Sequence, residues 1–299
     1  MAGVLNALKD ALRRTNLVRR VLRSGIYVLV LHGYRGKVAV VTGAASGLGR
    51  ALTRELVSRQ CHLALLDVDV SSLQAATLEF GGAGIKLTQH CVEVAFEEAM
   101  KGAAADIARA HGAVHLLINN AGVSASAAFN ATTSEVFERI LSVNFFGVVH
   151  GCRAFLPLLQ KHGEGQILNV SSCFAWLGYP RKTAYAASKA AIRGFSESLR
   201  LELADSGVGV TLFYPGPLST SLVRSGIAES EEGRSREEDF LCRRGARVDR
   251  VARRCLDRLL DNPARIVMSL DYRIMDAMAR LSPGLASRVM GWGARRAKF

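Results

Sequence analysis

Between residues 37 and 270 the chain alternates short apolar runs with longer segments of helical periodicity. The runs are "KVAVVTG" (37–43), "HLALLDV" (62–68), "IKLTQHC" (85–91), "VHLLINN" (114–120), "GQILNVSS" (165–172), "VGVTLFYPG" (208–216) and "ARIVMSL" (264–270). Near-continuous apolar runs mark strands buried on both faces. Their alternation with helices predicts an α/β architecture, a doubly wound three-layer sandwich around a parallel sheet of about seven strands. No internal repeat or low-complexity linker divides the region, so residues 36–270 read as one domain.

Both ends depart from this pattern. In residues 1–35, Leu5, Leu8 and Leu12 recur at helical spacing, and Arg13, Arg14, Arg19, Arg20 and Arg23 interrupt any apolar core that a secretory signal needs. The run "GIYVLVL" (25–31) falls well short of the roughly 20 residues that cross a bilayer. This segment reads as an amphipathic arm, either interfacial or packed on the domain. Residues 271–299 read as a helix, a proline break and a second basic amphipathic helix.

Charge sharpens the picture. The formal net charge is +13, of which residues 1–36 carry +6, residues 273–299 carry +5 and the body only +2. Basic, greasy ends on a nearly neutral body fit peripheral contact with a membrane surface, and no nucleic-acid partner is expected. The six cysteines form no C-x-x-C pair, which fits reduced thiols of an intracellular, cytoplasmic protein, and no histidine arrangement calls for a metal.

The candidate chemistry begins where the first run meets a helix. Gly43, Gly47 and Gly49, with Ser46 and Leu48 between them, occupy a strand-to-helix turn where a backbone can approach a pyrophosphate and a helix N-terminus attracts it. Asp67, eighteen residues past Gly49, is placed to accept hydrogen bonds from an adenosine ribose and to repel a 2′-phosphate, which favours NAD over NADP; Arg50 argues the other way. Further on, Tyr185 and Lys189 stand four residues apart, on one face of a helix. An ammonium near a phenol lowers its pKa, so Tyr185 can act as general base or acid.

With Gly43, Gly47, Gly49, "NNAG" at 119–122, Asn144, Ser172, Tyr185, Lys189 and "PG" at 215–216 in this order, the sequence resembles the short-chain dehydrogenase/reductase family over about residues 36–270. The resemblance implies a Rossmann-type fold and NAD(P)-dependent hydride transfer. It implies catalytic roles for Asn144, Ser172, Tyr185 and Lys189: Ser172 steadies the substrate oxygen, Lys189 also binds the nicotinamide ribose, and Asn144 holds a water behind the lysine. Ser172 is selected over Ser171 by its thirteen-residue spacing to Tyr185. Cofactor contacts are implied for Asn120, Ala121, Gly122, Pro215, Gly216, Leu218 and Thr220. Glu93 and Val94 match the adenine-side position, with Glu93 standing where the family usually has Asp. His115 replaces a frequent Asp and reads as structural.

Substrate identity lies outside the motifs. Phe174, Trp176, Leu177, Tyr179, Leu218 and Leu222 are expected to form an apolar wall, and the charged run 229–239 reads as a mobile, solvated lid. Such a wall suits a hydrophobic alcohol or ketone, such as a steroid, retinoid or fatty alcohol. Two alternatives stay open: an NADPH-dependent carbonyl reductase, and a nucleotide-bound, non-catalytic interaction protein. The resemblance also implies a homodimer or homotetramer paired through helices at about 133–161 and 183–206.

Overall fold

The computed structural model describes residues 31, 33–218 and 226–296. The expected arm at 1–30 lies outside the described residues, as do Thr220 and Leu222.

All seven expected strands form, and all pair in parallel: β1 (Val38–Thr42), β2 (His62–Asp67), β3 (Leu87–Cys91), β4 (Leu116–Asn119), β6 (Gly165–Val170), β7 (Val208–Tyr214) and β9 (Arg265–Val267). Their spatial order is β3-β2-β1-β4-β6-β7-β9. The chain winds outward from β1 to β3, then crosses back to lay β4 against β1. That reversal opens a crevice beyond the strand ends, where ligands of such sheets bind.

The sheet is buried on both faces because alternate strand residues serve different layers. Ala39 and Val41 of β1 pack with Leu52 and Leu56 of α1 (Gly47–Ser58) and with Leu256 of α8 (Val248–Leu259). Val40, between them, belongs to the opposite core, with Met100 of α3 (Glu97–His111), Phe155 of α5 (Gly147–Gln160) and Ile192 of α6 (Thr183–Glu202). The helix α2 (Val70–Phe80) completes the first layer through Leu73 and Phe80. Each fully buried leucine or phenylalanine in these layers contributes about 1.5–3 kcal/mol.

Three departures from the sequence reading bear on the site. The run expected as one helix near 133–161 is α4 (Ser134–Leu141), a π-helical turn at Ser142–Phe146, and α5. By length and composition Ser134–Gln160 could cross a membrane, but 44% of its apolar window is buried inside the domain. A small parallel sheet, unforeseen, joins β5 (Ala125–Ser126) to β8 (Ile227–Ala228). Finally, the charged run read as a lid forms a helix, α7 (Glu231–Arg244), capped by Ser230, whose side chain accepts the Gly233 amide. The chain ends in α9 (Leu270–Leu281) and α10 (Pro283–Arg296), with the proline at the first position of α10, where its missing N–H is not needed.

Candidate functional site

The crevice is built around the glycine turn. Gly43 and Gly47 have φ of 63° and 50°, a left-handed conformation that glycine adopts without strain. A Cβ on Gly49 would stand 1.9 Å from the Gly43 carbonyl oxygen, so α1 can rest on the turn only without a side chain there. Asn120 Nδ2 donates to the Thr42 and Gly43 carbonyls at 3.0 and 3.1 Å, while Thr42 Oγ1 accepts the Asn120 and Ala121 amides, both at 3.0 Å. The "NNAG" segment is thereby laced to the end of β1. Ser46, which precedes α1, makes no side-chain cap. The first-turn N–H groups of a helix have no partner within it, and they bear the positive end of its dipole. A dinucleotide pyrophosphate fits this close, donor-rich backbone.

At the tip of β2, Asp67 Oδ2 accepts the Ala45 amide at 2.9 Å and Oδ1 accepts the Asp69 amide at 3.1 Å. A carboxylate offers about four acceptor positions, so capacity remains for ribose hydroxyls. Arg50 is engaged elsewhere, in a fork on Glu79 Oε2 at 2.9 and 2.6 Å. Glu93 is paired with Arg139 at 2.8 Å, and Val94 packs against Gly147, leaving no room for a Cβ there; neither residue lines the central cavity.

The α6 helix brings Tyr185 and Lys189 to the same cavity. Lys189 Nζ lies 5.7 Å from the Tyr185 ring centroid and donates to the Val170 carbonyl at 3.1 Å. Ser172 lines the same cavity as Tyr185, and its Oγ accepts the Phe174 amide at 3.4 Å. The neighbouring serine does different work: Ser171 is buried and donates to the Lys189 carbonyl at 3.0 Å. Asn144, in the π-turn, is fully buried; its Oδ1 accepts the Val123 amide at 2.8 Å, and its Nδ2 donates to the Val123 carbonyl and to Ser188 Oγ, both at 3.0 Å. Ser188 Oγ donates in turn to the Tyr185 carbonyl at 2.7 Å. The side chain of Asn144 thus ties the β4 loop to α6.

The electrostatics correct one expectation. In the protein alone Tyr185 is not shifted downward: burial raises its pKa above the ordinary phenol value, with the Cys173 and Glu237 charges adding to the rise. Burial also lowers Lys189 to about 8. Desolvation outweighs the attraction between the two groups, so at neutral pH the phenol holds its proton firmly.

The model of the family described as short chain dehydrogenase matches residues 37–231. This chain belongs to that family. The protein SadH of Mycobacterium tuberculosis is 36% identical over 274 residues, which span 90% of this chain and 98% of that one. A short chain dehydrogenase/reductase from Burkholderia phymatum, solved in complex with NAD, superposes with a TM-score of 0.77 at 27% identity, covering 84% of this chain and 96% of that one. A metagenomic short-chain oxidoreductase, solved in complex with NADP, does so with a TM-score of 0.66 at 26% identity, covering 79% and 97%.

In this short-chain dehydrogenase the glycine turn, Gly122, Ser172, Tyr185, Lys189 and the Pro215–Leu218 segment line one cavity of about 450 Å³. Its expected apolar wall is present in part: Phe174, Leu177 and Tyr179 line it, with Phe174 packed edge-on against Tyr185 at 6.2 Å between ring centroids. Trp176 does not. Its indole stacks edge-on against Tyr214 at 4.6 Å and packs with the core, which removes it from the substrate wall. The sequence reading missed Lys182, Glu237, Tyr272, Met275 and Met290, which also line the cavity. Only Lys182 left a trace, one helical turn before Tyr185; the others carry no motif. His115 accepts the Val38 amide through Nδ1 at 3.1 Å, a structural role. Among the described residues no group of three or more His, Cys, Asp or Glu is placed to hold a metal ion.

Proposed function

We propose that this protein is a NAD-dependent oxidoreductase that interconverts a hydrophobic secondary alcohol and its ketone, or a lipid-like alcohol and its aldehyde, with Tyr185 exchanging the substrate proton. The observation that carries this reading is the gathering of Tyr185, Ser172 and the glycine turn on one mainly apolar cavity, with Lys189 Nζ 5.7 Å from the Tyr185 ring centroid. The bound dinucleotide supplies the hydride acceptor or donor and, when oxidised, a positive ring that favours the phenolate.

The chain's own residues do the rest. Ser172 Oγ donates to the substrate oxygen and stabilises charge that grows there. In the reductive direction Tyr185 Oη gives up its proton to that oxygen; in the oxidative direction it receives one. Lys189, held on the Val170 carbonyl, adds positive charge beside the phenol and would bind the ribose of the nicotinamide nucleotide. Phe174, Leu177 and Tyr179 exclude water from the reacting carbon. The test is nicotinamide absorbance on incubating purified protein with NAD and a panel of hydrophobic alcohols. Reduction of NAD should vanish in Tyr185→Phe while NADH still binds; turnover that survives this substitution would refute the assignment.

The preference for NAD rests on Asp67 at the end of β2 and on Arg50 being engaged by Glu79. Asp67→Ser removes the repulsion of a 2′-phosphate and should lower the ratio of NAD to NADP kcat/KM by at least about tenfold. An unchanged ratio would favour the NADPH-dependent carbonyl reductase instead.

A further inference from the structure

The cavity wall carries a charge pair that has no part in the chemistry above. Lys182, immediately before α6, is 5% exposed, and its Nζ lies 2.6 Å from Glu237 Oε1 of α7 and 3.5 Å from Ser124 Oγ. All three residues line the cavity. An ammonium has three N–H donors, so one remains after these two acceptors among the described residues. On the other side of the pair, Glu237 Oε2 is buried without a hydrogen-bond partner there.

The backbone is arranged to produce this pair. Arg181 has φ of 64°, a left-handed conformation that is strained for a long side chain and persists where surroundings impose it. It sends two adjacent cations different ways, Arg181 to Glu229 at 2.6 Å and Lys182 into the cavity to Glu237. Glu229 also accepts the Ala128 amide at 3.0 Å, which secures the start of α7 independently of the inner pair. A buried ion pair is generally no more stabilising than apolar residues of the same size. Anchoring α7 therefore does not by itself account for placing one here. A ligand that uses the remaining donor and acceptor does.

We propose that Lys182 and Glu237 read a second oxygen on the substrate: a hydroxyl that accepts from Lys182 Nζ and donates to the Glu237 carboxylate, on an otherwise apolar alcohol or ketone. The inference rests on the reading of Tyr185 and Ser172 as the site of the reacting oxygen. Lys182 precedes Tyr185 by three residues and both line the cavity, so one compact ligand can meet both. A cyclohexane ring with two hydroxyls in a 1,3 or 1,4 relation is the probe of that arrangement.

The full-length protein loaded with NADH is titrated with cyclohexanol, cyclohexane-1,3-diol and cyclohexane-1,4-diol, with binding read from nicotinamide fluorescence. Wild type should bind one diol at least roughly tenfold more tightly than cyclohexanol, the expected worth of hydrogen bonds to charged groups. The double variant Lys182→Met/Glu237→Leu, which leaves no unpaired buried charge, should lose that preference and keep its NADH affinity. Lys182→Met alone strands a buried carboxylate and serves only as a comparison. Equal binding of mono-alcohol and diols by wild type, or a preference that persists in the double variant, would overturn the proposal and leave the pair as a latch for α7. A diol preference in binding without turnover of any alcohol would support the pair and count against hydride transfer at Tyr185.

Discussion

Ser171 and Ser172 are adjacent hydroxyls in different surroundings, and the difference in role proposed for them can be measured. Ser171 is buried with its hydroxyl on the Lys189 backbone, whereas Ser172 lines the cavity together with Tyr185. Ser171→Ala should cost about 1 kcal/mol of stability and change turnover little. Ser172→Ala should leave the unfolding midpoint unchanged and lower kcat by about a hundredfold, as loss of an oxyanion donor does. Denaturant unfolding and steady-state kinetics on the two variants check the pair, and reversed effects would reverse the assignment. At this scale the gathering of the candidate residues in one cavity was legible because their spacing is local: a turn of three glycines, and a Tyr and Lys one helical turn apart. Glu237 and Met290 were not, because only tertiary packing brings α7 and α10 to α6. Trp176 misled for the same reason, since its aromatic neighbour Tyr214 lies on another strand.

Elements were legible where burial is two-sided. Strands such as β1 and β7 are buried at every position, and unbroken apolar runs announced them. The strands β5 and β8 have only two residues each, too short for any period to show. The charged run at 229–239 has almost no apolar stripe, so it read as solvated; its helix is supported instead by the Ser230 cap and by ion pairs to Arg181 and Lys182. The π-turn at 142–146 was hidden within a convincing helical pattern, yet it delivers Asn144 to Val123. Asn144→Ala leaves both Val123 backbone groups and Ser188 without their partner, and should cost about 2–4 kcal/mol. The thermal midpoint should then fall by roughly 5–10 °C. A midpoint within a degree of wild type would show that this bridge carries no stability.

Across the whole molecule, the price of chemistry shows in Lys189. Its pKa of about 8 in the folded chain lies below the ordinary lysine value of 10.5, because burial disfavours the ammonium. Between these two values the unfolded chain binds more protons, so this residue's contribution makes the protein more stable as pH rises from 8 toward 10.5; below 8 both forms are charged and the full penalty remains. Lys189→Met should therefore raise stability at pH 7 by on the order of 2 kcal/mol, flatten that part of the pH profile and abolish turnover. Unfolding of the dinucleotide-free protein at pH 7 and 10 tests this, and a variant less stable than wild type at pH 7 would contradict it.

Met290 in α10 and Tyr272 in α9 line the same cavity as Gly43, so its wall is assembled from opposite ends of the polypeptide. Synthesis proceeds from the N-terminus at about 5–20 residues per second. The glycine turn and Tyr185 therefore leave the ribosome well before the last lining side chains. A chain released before residue 272 would carry the reacting groups beneath a cavity open on the side these helices supply. Selection of substrate by shape thus waits until residues 272–290 have been made.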